Sequence, residues 1–341
     1  MVDATATDGK DPDSSLVARL QNLVPRRLTE GDLGSLPILI GLAVIAGIFQ
    51  AANHHFLSPL NLTNLVVQIS AIGTISVGVV LVLLIGEIDL SVGAVSGLTA
   101  GVMAVLAVKV GWPGPLAVLV GILAGAGIGL LQGAWFAKIH VPSFVVTLAG
   151  YLGWQGALLY VLGNTGTINL NDPFIVGLAN TRMPVWFGWA LAGVLLLMFG
   201  WRVLADWTRR KNLNLRVASG WSVGARIAIV AVAALGSVAL MSVNRNPVKN
   251  GPPISGVPTA ILALLAFVIC FDLILRRTRF GRAVFAVGGN VEAARRAGIN
   301  VDRLRITIFV LCSSLAAAGG ILAGSRLLAV NQSSGSGDVL L

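Results

Sequence analysis

Residues 62–85 read Leu-Thr-Asn-Leu-Val-Val-Gln-Ile-Ser-Ala-Ile-Gly-Thr-Ile-Ser-Val-Gly-Val-Val-Leu-Val-Leu-Leu-Ile, without one charged side chain. A helix needs about 20 mostly apolar residues to cross the hydrocarbon core of a bilayer. This run is long enough, and its scattered Thr, Gln, Ser and Gly suit a helix that meets other helices on part of its surface. Runs of similar character lie at roughly 36–52, 91–109, 114–137, 143–162, 184–205, 224–243, 258–275 and 306–330. The expected fold class is therefore all-α: a polytopic transmembrane helical bundle of about nine spans.

Composition agrees. Of 341 residues, 56% are hydrophobic and 11% charged, where a soluble domain has about one quarter charged. Mean hydropathy is +0.86. The 41 glycines fit close helix packing in lipid. A net charge of +10 raises the question of nucleic acid, but the Lys and Arg gather in short clusters between apolar runs, which is a signature of membrane orientation. With the N-terminus cytoplasmic and nine alternating helices, 19 of the 24 basic residues fall on the inner side. The outer side holds Lys109, Arg182, Arg245, Lys249 and Arg326.

Residues 1–35 are polar and lack the apolar core of a cleavable signal peptide. Within them Ser14 is a candidate N-cap, and Leu16, Leu20, Leu23 and Val24 share one helical face beside Arg19, Arg26 and Arg27. Two readings stand for this cytoplasmic segment: an amphipathic helix lying on anionic headgroups, or an ordered tail of no consequence. Residues 36–330 form the membrane domain, and 331–341 an extracytoplasmic end. The sequence stops just after a span, as expected of a chain cut before its final helices.

No catalytic constellation is present. There is no GxxxxGK[ST] phosphate loop, so ATP hydrolysis is not expected of this chain. Cys270 and Cys312 lie in apolar runs and read as small buried residues. Three histidines without HxxxH spacing point to no metal and no cofactor. Gly121, Gly125, Gly129 and Gly133 recur every fourth residue. They bare one helix face for a neighbouring backbone, a packing device that Gly320 and Gly324 repeat.

Two segments carry charge where it has to be explained. Gly86-Glu87-Ile88-Asp89-Leu90-Ser91 sets two carboxylates between apolar runs. Asp89 or Ser91 capping the next helix is one reading; a gating or pathway role for Glu87 and Asp89 is the other. The longer basic segment, 276–305, contains Gly288-Gly289-Asn290, then Val291-Glu292-Ala293-Ala294-Arg295-Arg296-Ala297, then Gly298. It reads as a helix start, about two turns and a glycine stop. A partner could grip such a helix; alternatively its arginines only set topology.

Glu292-Ala293-Ala294 followed three residues later by Gly298 resembles the EAA-x3-G signature of importer permeases of the ATP-binding-cassette type. Ile308 is suitably spaced, though the Leu-Pro of the longer signature is absent. Thr278-Arg279-Phe280-Gly281-Arg282, Ala286-Val287-Gly288-Gly289-Asn290 and Val141 to Leu148 are similar to the ribose, arabinose and xylose permease branch. So is the segment from Gly86 to Gly93, with Glu87 where the branch usually has a second Gly. Arg209-Arg210-Lys211, the span 224–243, Asn164-Thr165-Gly166-Thr167 and Ser325-Arg326-Leu327 resemble the xylose permeases most. The likeness covers roughly residues 60–330.

The resemblance implies a non-catalytic translocation subunit in the inner membrane, carrying a monosaccharide, D-xylose first. It implies a permease homodimer, a cytoplasmic ABC ATPase with two cassettes, and a periplasmic or lipid-anchored sugar-binding protein. Gly288, Gly289, Asn290, Glu292, Ala293, Ala294, Arg295 and Gly298 would then couple to the ATPase. Asn164, Asn331 and Gln332 are further pathway candidates near the outer side. The competing class is an ion-coupled secondary transporter of a small polar solute, for which Glu87 and Asp89 are the only candidate coupling carboxylates.

Overall fold

The computed structural model describes residues 36–338 apart from 214, 216, 218, 247, 249, 250 and 252. The amphipathic stretch read at 14–24, with its arginines, lies outside the described residues, as do Lys10, Arg216 and Lys249. Residues up to Asn61 and from Leu62 onward form two compact units.

In the first unit, α1 (Leu36–Ala52) runs into a tight polar turn. Gln50 donates from Nε2 to His54 O at 3.0 Å and accepts Leu57 N at 2.9 Å. Phe49 stacks on Phe56 at 5.3 Å. α1 has 17 residues, just under the length a span needs. Nine spans are expected from the sequence; among the described residues eight helices are long and apolar enough to cross a membrane, and α1 is not one of them.

The second unit holds α2 (Pro59–Leu84) from Leu62 onward, α3 (Val92–Ala104), α4 (Gly114–Ile139) and α5 (Ser143–Leu162). After a short helix α6 (Pro173–Asn180) come α7 (Val185–Asn212), α8 (Gly220–Ser242) and α9 (Thr259–Arg277). Two short helices, α10 (Arg279–Gly289) and α11 (Val291–Arg296), precede the last span, α12 (Val301–Leu327). Proline marks many of the starts: Pro59 and Pro173 open helices, and Pro113, Pro142, Pro184 and Pro258 are N-cap residues. Its fixed φ suits a first turn, and its missing N–H costs nothing there. The sequence places most ends within a few residues; α7 continues to Asn212, seven residues beyond the expected 205, where Arg209, Arg210 and Lys211 are good helix formers and their charge favours a helix C-terminus.

Packing divides the helices into centre and rim. The apolar windows of α3 (with the π turn Val105–Lys109) and α12 are 67% and 61% buried, against 11% for α7 and α8 and 6% for α9. The rim helices are left with apolar faces suited to lipid. The closest seam runs along α4 and α12. A Cβ at Gly125 would lie 2.7 Å from Ser313 O, one at Gly133 3.0 Å from Ile306 Cα, and one at Gly121 3.1 Å from Ile321 Cδ1. Gly129 lies against Phe309 O, and Gly320 meets Ser96 O across α3.

Two short strands, β1 (Thr167–Asn169) and β2 (Ala329–Asn331), pair antiparallel with Ile168 opposite Val330. They tie the chain after α5 to the chain after α12. Lys109 Nζ donates to Leu162 O at 2.8 Å, capping the C-terminus of α5. The opposite end of the bundle gathers the end of α2, the end of α4, the starts of α5 and α12, and the α10–α11 pair. The sites follow from that gathering.

Candidate functional site

Asn290 is the pivot of the α10–α11 elbow. Its amide is bonded to Ala286 O at 3.1 Å, closing α10, and its side-chain oxygen accepts Ala293 N at 2.9 Å, opening α11. Gly298 ends the elbow at φ +82°, a left-handed conformation that strains any residue with a Cβ. Thr278 Oγ1 accepts Gly281 N at 3.2 Å and so caps α10. The sequence signals only the second helix of the pair, because Arg279–Gly289 is too short and polar to stand out as a span.

One side of the elbow is seated and the other is bare. Gly281, Val284, Val287 and Ala294 are buried. Gly288 comes so close to Leu84 O that no Cβ fits between them. Gly289, Asn290, Glu292, Ala293, Arg295 and Gly298 are exposed. Six of the eight candidate coupling residues thus lie together on one projecting corner, while Gly288 and Ala294 face the bundle. Arg295 makes an ion pair with Glu292 at 3.6 Å and lies 4.0 Å from Asp302, all three well solvated.

Beside the elbow Glu87 serves as a junction. Its Oε1 accepts from Arg305 Nη2 at 3.1 Å, with the two side chains 17% and 16% exposed. Its Oε2 accepts from Ser143 Oγ at 2.8 Å. The Arg305 guanidinium lies 4.5 Å from the ring centre of Phe136, which packs on Phe309. One carboxylate therefore joins the α2–α3 turn to the starts of α5 and α12 and, through Arg305, to α4.

Asp89 faces inward instead. It is 7% exposed, and its Oδ1 accepts both the amide (2.9 Å) and the hydroxyl (2.7 Å) of Ser91. Ser91 Oγ and the Gln132 side chain lie at hydrogen-bond distance, 3.0–3.1 Å. Ser91 occupies the N-cap position of α3, yet its hydroxyl caps no helix amide. The carboxylate holds Ser91 and, through it, Gln132 of α4.

Asn331 and Gln332 lie at the far end of the bundle with the loop that holds Asn164. Thr167 is opposite Asn331 in the strand pair, and Gln332 N donates to Gly166 O at 3.1 Å. Asn331 Oδ1 is turned into its own loop, accepting from Ser333 N at 3.0 Å and Ser333 Oγ at 2.8 Å. The pathway candidates thus fall into two groups at opposite ends. Sequence reasoning missed Arg305, Ser143, Phe136 and Gln132. In the sequence Arg305 is one of the basic residues of 276–305 that mark the inner side; its place immediately before an apolar run is the signal that sets it apart.

Among the described residues no group of His, Cys, Asp or Glu is arranged to hold a metal ion. What remains is a polytopic helical membrane protein with an exposed helical elbow at one end. The family described as branched-chain amino acid transport system / permease component matches residues 61–339, and the chain belongs to it. It is a multi-pass protein of the inner (plasma) membrane. The xylose transport system permease of Escherichia coli (strain K12) is 36% identical over 282 residues, 82% of this chain and 69% of the relative. That of Haemophilus influenzae is 34% identical over 301 residues, 87% of this chain and 77% of the relative. The ribose import permease of Bacillus subtilis is 29% identical over 318 residues, 93% of this chain and 76% of the relative. No solved structure matches the chain.

Proposed function

We propose that this chain is the membrane-spanning subunit of an ATP-binding-cassette importer whose solute is a monosaccharide, D-xylose first. The elbow carries the reading. Its inner edge rests on Leu84 O, while Asn290, Glu292 and Arg295 are bare. A helix held in this way can pass displacement from a partner to the ends of α2 and α12. Two xylose permeases at 36% and 34% identity, against 27% and 29% for two ribose permeases, favour xylose.

In this reading the elbow end is cytoplasmic, and so is the N-terminus. Lys138 and the arginines of 276–305 gather at that end, in keeping with the excess of basic residues on cytoplasmic loops. A cytoplasmic ATPase with two cassettes sits beneath a permease homodimer and hydrolyses the ATP. A periplasmic or lipid-anchored binding protein delivers the sugar at the end that bears Asn164, Asn331 and Gln332. ATP drives alternating access because it binds the closed ATPase dimer more tightly than the open one, and the elbow carries that closure into the helices.

The test is reconstitution of the chain with its ATPase and binding protein in vesicles. Xylose uptake should require ATP, and other pentoses should compete less well. Uptake that follows an imposed ion gradient without the ATPase would overturn the proposal. Uptake of ribose in preference to xylose would overturn the choice of sugar alone.

A further inference from the structure

We propose that the end of the α7–α8 hairpin formed by the last turns of α7 and the first turns of α8 is a binding surface for anionic phospholipid headgroups. Both helices are rim helices, with only 11% of their apolar windows buried, so they meet lipid along most of their length. α7 has 28 residues. At 1.5 Å per residue it is about 42 Å long, roughly 12 Å more than the hydrocarbon core. The surplus falls after about residue 204, where the sequence reads Ala-Asp-Trp-Thr-Arg-Arg-Lys-Asn.

Arg202, Arg209, Arg210 and Lys211 are exposed on these turns. α8 adds Arg226, whose guanidinium carbon lies 5.9 Å from the ring centre of Phe199, about one turn before Arg202 on α7. Against these five cations there is one carboxylate, Asp206, 3.0 Å from Arg210 Nε. Trp201 and Trp221 flank the cluster, 75% and 86% exposed, and Lys211 Nζ lies 5.1 Å from the Trp207 ring centre. Tryptophan collects at headgroup depth, and clustered Lys and Arg beside a spanning helix attract anionic lipid.

A topology signal alone would need the charges but neither the tryptophans nor a helix carried beyond the membrane core. The elbow makes the contrast. It is as basic, but it has no tryptophan between residues 276 and 305, and three of its arginines are taken by ion pairs, Arg276 with Asp272, Arg295 with Glu292 and Arg305 with Glu87. The hairpin end keeps most of its cations for an outside anion, and the depth set by its tryptophans makes that anion a lipid phosphate.

The whole chain in neutral detergent is titrated with phosphatidylglycerol, phosphatidylcholine or inorganic phosphate, and retained lipid is counted by native mass spectrometry. Phosphatidylglycerol should bind at least about tenfold more tightly than phosphatidylcholine. Removing three cations in R209Q/R210Q/K211Q should weaken it on the order of 100-fold. Equal retention by the variant, equal affinity for phosphatidylcholine, or displacement by equimolar inorganic phosphate would each overturn the proposal. If the variant does not fold, salt decides on the unaltered protein: binding must weaken steeply between about 0.05 and 0.5 M NaCl, and salt-independent binding overturns it.

Discussion

Arg305 Nη2 stands 3.1 Å from Glu87 Oε1, joining residues 218 positions apart in the chain. Arg305 lies in the opening turns of α12, just beyond the elbow, and Glu87 lies just past the end of α2 on which the elbow rests. The elbow is thus held twice, by backbone packing at Gly288 and by the ion pair behind it.

The pair should be measurable as a coupling. Both partners are mostly buried, so removing one leaves the other short of a partner. Glu87→Gln or Arg305→Gln should destabilise the protein by about 1–3 kcal/mol, read as a lower melting midpoint in detergent. The double variant should lose less than the sum of the two, by at least about 0.5 kcal/mol. Strict additivity would mean that the contact contributes nothing as a pair.

The glycine ladder gives a matched comparison within one helix. Gly129 faces Phe309 O with no space for a methyl group, whereas Gly127 has nothing within 4 Å of a built Cβ. Gly129→Ala should cost about 1–3 kcal/mol through overpacking. Gly127→Ala should be neutral or gain up to about 1 kcal/mol from helix propensity. Equal melting midpoints for the two variants would contradict the close approach of α4 to α12.

Sequence conveyed the spans because their signal is local: an uncharged run, a proline at its start and basic residues at its end are all visible within thirty residues. The glycine period at 121–133 and the Asn290-to-Gly298 punctuation are local in the same sense. The roles of Glu87 and Asp89 were not legible. Both stand in one polar turn, and what separates them is a partner brought from residue 305 to one and burial against α4 and α12 for the other. Hydropathy carries no information on which helices become neighbours. Nor could it show that α3 would be the buried centre and α7 the lipid-facing rim, since both are equally apolar.

Asp89 should tolerate change of charge better than loss of its oxygen. Asp89→Asn keeps an acceptor for the Ser91 amide and hydroxyl, which Asp89 Oδ1 receives at 2.9 and 2.7 Å. Asp89→Ala removes it and leaves a buried Ser91 amide to find another partner, at about 1–3 kcal/mol. Thermal unfolding should therefore rank the alanine variant clearly below the asparagine variant. Equal loss in the two variants would show that the carboxylate charge, not its hydrogen bonding, matters at this turn.

The elbow separates stability from coupling most sharply. Gly298 has φ +82°, so Gly298→Ala should cost about 1–2 kcal/mol and loosen the end of α11. Asn290→Ala removes the cap on Ala293 N and should cost about 1 kcal/mol. Glu292→Gln differs in kind. Its side chain is 68% exposed and its pairing with Arg295 at 3.6 Å is solvated, so stability should change by less than about 0.5 kcal/mol. If the bare corner is what the ATPase grips, Glu292→Gln should nevertheless lower sugar-stimulated ATP hydrolysis in the reconstituted importer. Gly298→Ala should lower it further while basal hydrolysis by the ATPase alone stays the same. Unchanged stimulation in both variants, with the protein still folded, would remove the elbow from the coupling path and leave its exposed charges as a solvated surface.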